Sequence, residues 1–178
     1  MPGFRHILPT KGHNHGIYAK MILDDLDRRI LAALQADARI SNVDLAARVG
    51  LSPSPCLRRV RLLEEAGVIA GYHASLDRAA LGLGLLVFVS VKVERHHDSD
   101  ADAFRHAVQD LAEVVSCHLV SGEADFLLQV MLPDLPAYER FLLDTLLTLP
   151  GVKDIRSNFA IATVKAPAAL PLGHLSRA

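Results

Sequence analysis

The segment Ser52-Pro53-Ser54-Pro55-Cys56-Leu57-Arg58-Arg59-Val60-Arg61-Leu62-Leu63-Glu64-Glu65-Ala66-Gly67 decides how the first half of the chain folds. Ser52 suits a helix N-cap, where its hydroxyl accepts from a backbone N–H left unpaired in the first turn. Pro53 then falls at the first helical position, where its fixed φ helps and its missing N–H costs nothing. Pro55 is still early enough to be tolerated, and Gly67 stops the helix with left-handed φ. Between these ends Leu57, Val60 and Leu63 form one apolar stripe at helical spacing, with Arg58, Arg59 and Arg61 lying off it. Taken alone, such arginines are most often just a solvated face.

The residues before this helix change its meaning. From Leu26 to Ala36 the apolar positions Leu26, Ile30, Leu31 and Leu34 keep helical spacing, with Asp24 or Asp25 available as a cap. After the link Asp37–Ile40, Ser41-Asn42-Val43-Asp44 reads as a capping box opening a short helix whose apolar face is Val43, Leu45, Ala46 and Val49. Gly50-Leu51 makes the turn into Ser52. A supporting helix followed by two short helices about a glycine turn is a helix-turn-helix. In that arrangement the second helix of the pair enters the DNA major groove N-terminus first. Ser52, Ser54, Pro55 and Arg58 then approach base edges. Arg59 and Arg61 reach phosphates, joined by Arg39, Ser41 and Asn42 from the preceding turn. Arginine suits both tasks because its planar fork bonds guanine or phosphate at two points. Cys56 reads either as a small packing residue or as a redox switch.

Composition narrows the alternatives. At 178 residues and 51% hydrophobic, the chain holds one or two domains with real cores. No run approaches the ~20 apolar residues of a membrane span, and no apolar signal-peptide core opens the sequence. Cys56 and Cys117 stand far apart in no metal-type pattern and read as reduced thiols of a cytoplasmic protein, which a DNA-binding role would make nucleoid-associated. The net charge is −1. Residues 24–75 balance seven basic against seven acidic groups, whereas residues 83–165 set seven against twelve, a balance of −5. DNA contact must therefore come from locally placed arginines. Residues 1–23, with Pro2, Gly3, Pro9, Gly12, Gly16 and scattered His6, His13 and His15, read as a disordered extension ahead of a start at Met21. The alternative is a metal-binding segment, though the spacing fits no site well.

Beyond Gly67, Val68–Leu76 alternates as a short strand or wing, completing a DNA-binding domain over residues 24–75. Residues 76–84, with Gly82 and Gly84, form the hinge. Leu85–Val93 is a β-branched strand. His96-His97-Asp98-Ser99-Asp100 is a polar loop whose adjacent histidines point apart and make a poor metal pair. Ala103–Leu111 is a helix, Val114–Val120 and Asp125–Met131 are strands about a Ser121–Ala124 turn, Leu135–Leu149 is a helix, and Val152–Val164 is the last strand. Strand–helix–strand–strand–helix–strand is the split βαβ, ferredoxin-like plan. The fold class is thus α+β: a winged helix-turn-helix of three helices, then a ferredoxin-like βαββαβ domain over residues 85–165. Its uncovered sheet face should be buried against a second subunit. Residues 166–178, with Pro167 and Pro171, form an extended tail.

These residues carry a family resemblance. Leu26-Asp27, Arg39-Ile40-Ser41-Asn42-Val43, Val49-Gly50-Leu51-Ser52-Pro53, Pro55-Cys56-Leu57, Gly71-Tyr72, Leu86-Val87-Phe88-Val89, Cys117-His118-Leu119-Val120-Ser121-Gly122 and Leu149-Pro150-Gly151-Val152 occur in order across both domains. Residues 24–165 thereby resemble the Lrp/AsnC transcriptional regulators, most closely the leucine-responsive branch. The resemblance implies homodimers built through the C-terminal domains, assembling further to octamers that wrap double-stranded DNA. It also implies an amino-acid effector in a cleft between subunits, and no cofactor. Gly122-Glu123-Ala124-Asp125-Phe126 matches the family's glycine–two residues–aspartate–aromatic signature. A glycine turn can aim N–H groups at a carboxylate while Asp125 accepts from an ammonium. Ser121 and Glu123 belong to that turn, and Leu146, Ser157 and Phe159 occupy places that line the effector region in the family. Asp125 has a plainer reading as a structural turn cap. Phe126 stands where tyrosine is common. Ser157–Ile161 with Ala169–Leu172 looks more like a sub-branch controlling amino-acid catabolism, including a cysteine-detoxification regulator. The effector is therefore leucine or another apolar or sulfur amino acid.

Two other classes of function fit parts of the pattern. Sirohaem decarboxylases resemble the same two-domain plan and use histidines, for which His106 and His118 could be offered. A ligand-binding module without a DNA role is the other. The intact helix ends and outward arginines favour a DNA-binding regulator that is not an enzyme.

Overall fold

The computed structural model describes residues 22–94 and 98–176. They fall into two units: residues through Ala74 together with the segment from Pro167, and Ser75–Ala166. No helix among the described residues is long and apolar enough to cross a membrane.

The first unit holds α1 (Asp25–Ala36), α2 (Asn42–Val49) and α3 (Pro53–Glu65). Ser41 caps α2: its Oγ accepts from Asp44 N–H at 3.2 Å and donates to the Asp44 carboxylate at 2.6 Å. Gly50 closes α2 at φ 74°, a backbone that an L side chain adopts only with strain. At α3 the expected serine cap is absent: Ser52 makes no side-chain cap bond. Pro55, at the third helical position, lacks the N–H that a cap oxygen would take. Gly67 ends α3 as expected, at φ 70°, with its N–H donating to Glu64 and Val68 N–H donating to Leu63, each at 2.9 Å. The buried stripe is Cys56 and Leu63 with half-buried Val60, packed among Ile30, Leu31, Leu45 and Val49. Leu57 was expected in that stripe but is 38% exposed, because it lies about 100° round the helix from Cys56. Cys56 is the packing residue; burial pushes its thiol up, away from the thiolate that a redox switch requires.

The expected wing strand over Val68–Leu76 does not form. An alternating segment needs a hydrogen-bonding neighbour, and among the described residues none pairs with it. Tyr72 instead anchors it by donating to the Glu64 carboxylate at 2.9 Å. Burial first, then that carboxylate, pushes the phenol up to about 12.

The second unit contains β1 (Leu85–Val93), α4 (Asp98–Gln109), β2 (Val114–Leu119), β3 (Phe126–Leu132), α5 (Leu135–Asp144) and β4 (Val152–Phe159). The sheet is antiparallel in the order β2-β3-β1-β4, the split βαβ arrangement expected from the element order. Alternate residues of β1 and β3 (Val87, Val89, Val91, Val93; Phe126, Leu128, Val130, Leu132) form the core with Phe104 and Val108 of α4 and Tyr138 and Phe141 of α5. Several boundaries shift by one or two residues, and three shift by more. α4 begins at Asp98, taking three residues assigned to the loop; His96 and His97 lie outside the described residues. α5 stops at Asp144, because Thr145 leaves helical geometry at φ −124° and ψ −66°. β4 stops at Phe159 because its neighbour β1 begins at Leu85, and Ala160 N–H makes the last cross-strand bond, to Leu86. The sheet face away from the helices is half polar: Leu86, Phe88, Leu127 and Met131 alternate with Ser90, Lys92, Gln129 and Arg156.

One knot of charges fixes α3 on α1. Asp27 N–H donates to Asp24 Oδ1 at 2.9 Å and Asp24 N–H donates to Asp27 Oδ2 at 3.1 Å, a reciprocal capping box. Arg59 of α3 closes it, its Nη1 lying 2.8 Å from Asp27 Oδ1 and 2.9 Å from Asp24 Oδ2. The Asp27 N–H first, and then Arg59, hold the Asp24 carboxyl below its ordinary value of 3.8. A lowered folded pKa makes the Asp24 contribution complete above that ordinary value and lost as pH falls through the lower folded one. The Asp27 side chain is 4% exposed, so removing Arg59 strands a buried carboxylate. Arg59→Ala should destabilise the chain by about 2–3 kcal/mol in urea unfolding, less than the ~3–5 kcal/mol of a fully buried pair because water reaches the arginine. Arg61→Ala, on the exposed side, should stay within about 0.5 kcal/mol. Equal effects of the two substitutions would contradict the clamp.

Candidate DNA-reading face and ligand site

With Arg59 turned inward, the outer face of α3 is narrower than the sequence suggested. Ser54, Arg58 and Arg61 follow each other at spacings of four and three and share one exposed face. Arg58 and Arg61 have no ion-pair or hydrogen-bond partner among the described residues, and neither does the exposed guanidinium of Arg39. Ser52 and Pro55 are exposed at the N-terminus, and the unbonded Ser52 hydroxyl is available to a ligand. Two other expected DNA contacts are used internally. Arg59 is the clamp just described. Asn42 Nδ2 donates to the Pro53 carbonyl at 2.9 Å, tying the start of α2 to the first turn of α3. Ser41 is exposed but its hydroxyl is engaged with Asp44. Leu57 and Leu62, 38% and 47% exposed, flank the arginines.

In the second unit the turn Ser121–Ala124 connects β2 to β3. Gly122 has φ 126°, which excludes an ordinary side chain on conformational grounds. Arg156 of β4 pairs with Glu123 of the turn and stands 3.6 Å from Asp154. A cavity of about 490 Å³ on the open sheet face is lined by Ser90, Lys92, Ser121, Glu123, Leu127 and Arg156. A neighbouring one of about 460 Å³ takes in Gly122, Asp125 and Lys153, with Glu123 and Lys92 again in its wall. Four of the eight expected ligand residues, Ser121, Gly122, Glu123 and Asp125, are thus brought together. Lys92 and Arg156 went unread in the sequence; the lysine on the otherwise apolar β1 is a readable signal, whereas Arg156 is one of several polar residues of β4.

The other four lie elsewhere. Phe126 is 2% exposed and stacks tilted on Phe104 with ring centroids 4.7 Å apart, and Leu146 is fully buried in the same core. Phe126 faces the helices from β3 and Leu146 sits in the 3-10 turn after α5, so neither lines the two cavities of the open face. Ser157 and Phe159 face the helices too: Ser157 shares a hydrogen bond with Tyr138, and Phe159 packs edge-on to the Tyr138 ring at 5.3 Å. Asp125 is buried and serves structurally, its Oδ2 accepting from Val93 N–H at 3.0 Å. Its own N–H donates to Val91 at 3.0 Å, and its carbonyl accepts from Val120 at 2.9 Å. Asp125→Ala should cost about 1–3 kcal/mol through the orphaned Val93 N–H, measured by thermal unfolding without any ligand. An unchanged melting temperature would disprove the structural role.

Comparison with known proteins agrees with this geometry. Residues 23–70 match the winged helix-turn-helix DNA-binding family, and residues 86–170 the Lrp/AsnC ligand binding domain. The leucine-responsive regulatory proteins of Klebsiella pneumoniae and Escherichia coli (strain K12) are each 51% identical over 143 residues, spanning 80% of this chain and 87% of theirs. A transcriptional regulator from Neisseria meningitidis, solved as an L-Met complex, superposes with a TM-score of 0.83 at 42% identity, covering 86% of this chain and 99% of that one. An AsnC family transcriptional regulator from Agrobacterium tumefaciens gives 0.81 at 38% identity, over 85% and 99%. The relatives are regulators, so the sirohaem-decarboxylase alternative falls. A reading helix on a three-helix unit, followed by a ligand-binding βαββαβ unit, places this chain in the Lrp/AsnC family of DNA-binding transcriptional regulators.

Proposed function

We propose that the chain regulates genes of amino-acid metabolism by reading DNA through α3 while an amino acid bound in the second unit adjusts that binding. The observation that carries the DNA half is the split between adjacent arginines: Arg59 is consumed by Asp24 and Asp27, while Arg58 and Arg61 stand exposed and unpartnered among the described residues. Arg58, one turn into α3 beside Ser52, Ser54 and Pro55, is the base reader. Leu57 offers a methyl-bearing neighbour for thymine. Arg61 and Arg39 take phosphates.

The ligand half rests on the Ser121–Asp125 turn. Lys92 offers positive charge beside the exposed Arg156–Glu123 pair, which opens to present both signs that an amino acid's carboxylate and ammonium require. The Neisseria meningitidis relative was solved with L-Met, and Leu127 supplies an apolar wall here. An apolar or sulfur amino acid, leucine among them, is therefore the effector. Ser157, Phe159, Phe126 and Leu146 act from behind the sheet, by shaping it. The half-polar open face suits contact with a second copy, and a homodimer assembling to an octamer is the form that repeats α3 along DNA.

A gel shift on the chain's own upstream promoter, with and without each of the twenty amino acids, tests both halves. Arg58→Ala should weaken promoter binding by about 1–3 kcal/mol and relax discrimination at one position, with thermal stability unchanged. The amino acid that alters the shift should also raise the melting temperature. No retardation of promoter DNA at micromolar protein would sink the reading. An Arg58→Ala protein that binds as well as the parent would assign recognition elsewhere.

A further inference from the structure

The described C-terminal segment belongs to the helical unit, where α1 grips it. Gln35 holds both polar groups of one peptide residue: its Nε2 donates to the Leu170 carbonyl at 3.3 Å, and Leu170 N–H donates to Gln35 Oε1 at 2.6 Å. This is the pairing that a neighbouring strand would supply, made here by a side-chain amide. Two residues later Leu172 packs on the buried cluster of the three helices, beside Leu23 and Ile69. A short 3-10 turn over Gly173–Ser176 follows, with Leu175 N–H donating to Leu172 at 3.1 Å. The segment lies along a groove of about 660 Å³, lined by Leu31, Leu34, Val68, Ile69, Leu172 and Leu175. Pro171 sits between the two anchors, where its fixed φ and missing N–H favour an extended peptide that has little backbone freedom to lose.

We propose that residues 167–176 are a strap: a peptide ligand of the helical unit that makes a second connection between the two units. The first connection is the chain through residues 75–84. The second runs from β4 through residues 160–166, which hold no regular structure and leave Ile161 and Val164 fully exposed. So short a link keeps the peptide at an effective concentration of roughly millimolar, and weak intrinsic affinity is then enough for docking. A strap held that weakly is also releasable. Its anchor is on α1, which Arg59 joins to the reading helix, and its other end continues β4, which carries Arg156 at the candidate ligand cavity. A ligand that moves β4 therefore changes the reach of this link, and with it how fully the strap docks on α1. This coupling step rests on the function proposed above; the docking does not.

The test uses the full chain, a chain ending at Ala166, and a synthetic peptide of residues 167–178. Truncation should raise amide hydrogen exchange at residues 31–36 and 68–73 while leaving α2 unchanged, and millimolar peptide should restore protection. A peptide carrying Leu172→Asp should restore nothing, and Gln35→Ala in the full chain should reproduce part of the loss. Like exchange in full and truncated chains, or equal protection by the Leu172→Asp peptide, overturns the strap. In gel shifts with L-Met as the probe, and leucine if L-Met is silent, truncation should shrink the ligand-induced change in promoter affinity from the roughly 5–150-fold range of such couplings toward onefold. Affinity without ligand should stay close to that of the full chain. An undiminished response overturns the coupling role. A full chain that responds to no amino acid defeats the proposed function instead, and the exchange comparison then decides the strap alone.

Discussion

The carboxylate of Asp27 is the constraint on which the helical unit depends. A buried charge is tolerated only when its lone pairs are met. Asp24 N–H meets it from the start of the same helix, and Arg59 meets it from another. Both partners are positional. The first sets where α1 begins, and the second sets the rotation of α3 about its own axis. Since α3 buries only Cys56 and Leu63 completely, apolar packing alone gives little torque against rotation. The ion pair supplies a directional restraint where the hydrophobic one is broad. With the rotation fixed, Arg58 and Arg61 have no choice but to face outward.

The sheet unit solves a different problem with the same economy. Its helix-facing side is closed by aliphatic alternation on β1 and β3 and by the rings of Phe104, Phe126 and Tyr138. The other side mixes apolar with charged residues and gathers Lys92, Glu123 and Arg156 where β1, β4 and the β2–β3 turn meet. Asp125 is the hinge between these functions: it bonds β1 at two points and so fixes the turn that carries Glu123. The aspartate that ties β1 to the turn therefore also fixes the wall of the candidate cavity.

Much of this was legible in the sequence, and the misses have physical causes. Element order, the Gly67 stop and the Gly50 turn follow from spacing and φ preference, which are local. The rotation of α3 is not local. Leu57-Val60-Leu63 and Cys56-Val60-Leu63 are both acceptable stripes, and only the position of Asp27, thirty-two residues from Arg59, chooses between them. Asn42 was lost to the same cause, since its partner is a carbonyl across a turn. The missing Ser52 cap was readable only in part, since Pro55 removes one of the two possible donors and Ser54 keeps the other. Phe126 and Leu146 were assigned to the ligand by resemblance, against an alternation on β3 that already turned Phe126 inward. The strap could not be read at all, because an extended Leu-Pro-Leu segment shows no period and its docking depends on one glutamine far away in sequence.

Neutral charge over residues 24–75 then bears on how many copies must act together. Each phosphate neutralised on duplex DNA contributes a slope of about −0.9 to log affinity against log salt. If Arg58 spends its charge on a base, Arg39 and Arg61 leave about two phosphate contacts per copy, a slope near −2. So few phosphate contacts give one copy little electrostatic affinity for DNA. Two copies on one fragment double the exponent, and each further pair adds as much again. The salt slope measured on a promoter fragment of increasing length therefore counts reading helices. If the proposed homodimer is the unit that docks, the slope should rise in steps of roughly −4. A slope fixed near −2 at every length would mean that one helix binds and the rest of the assembly never touches DNA.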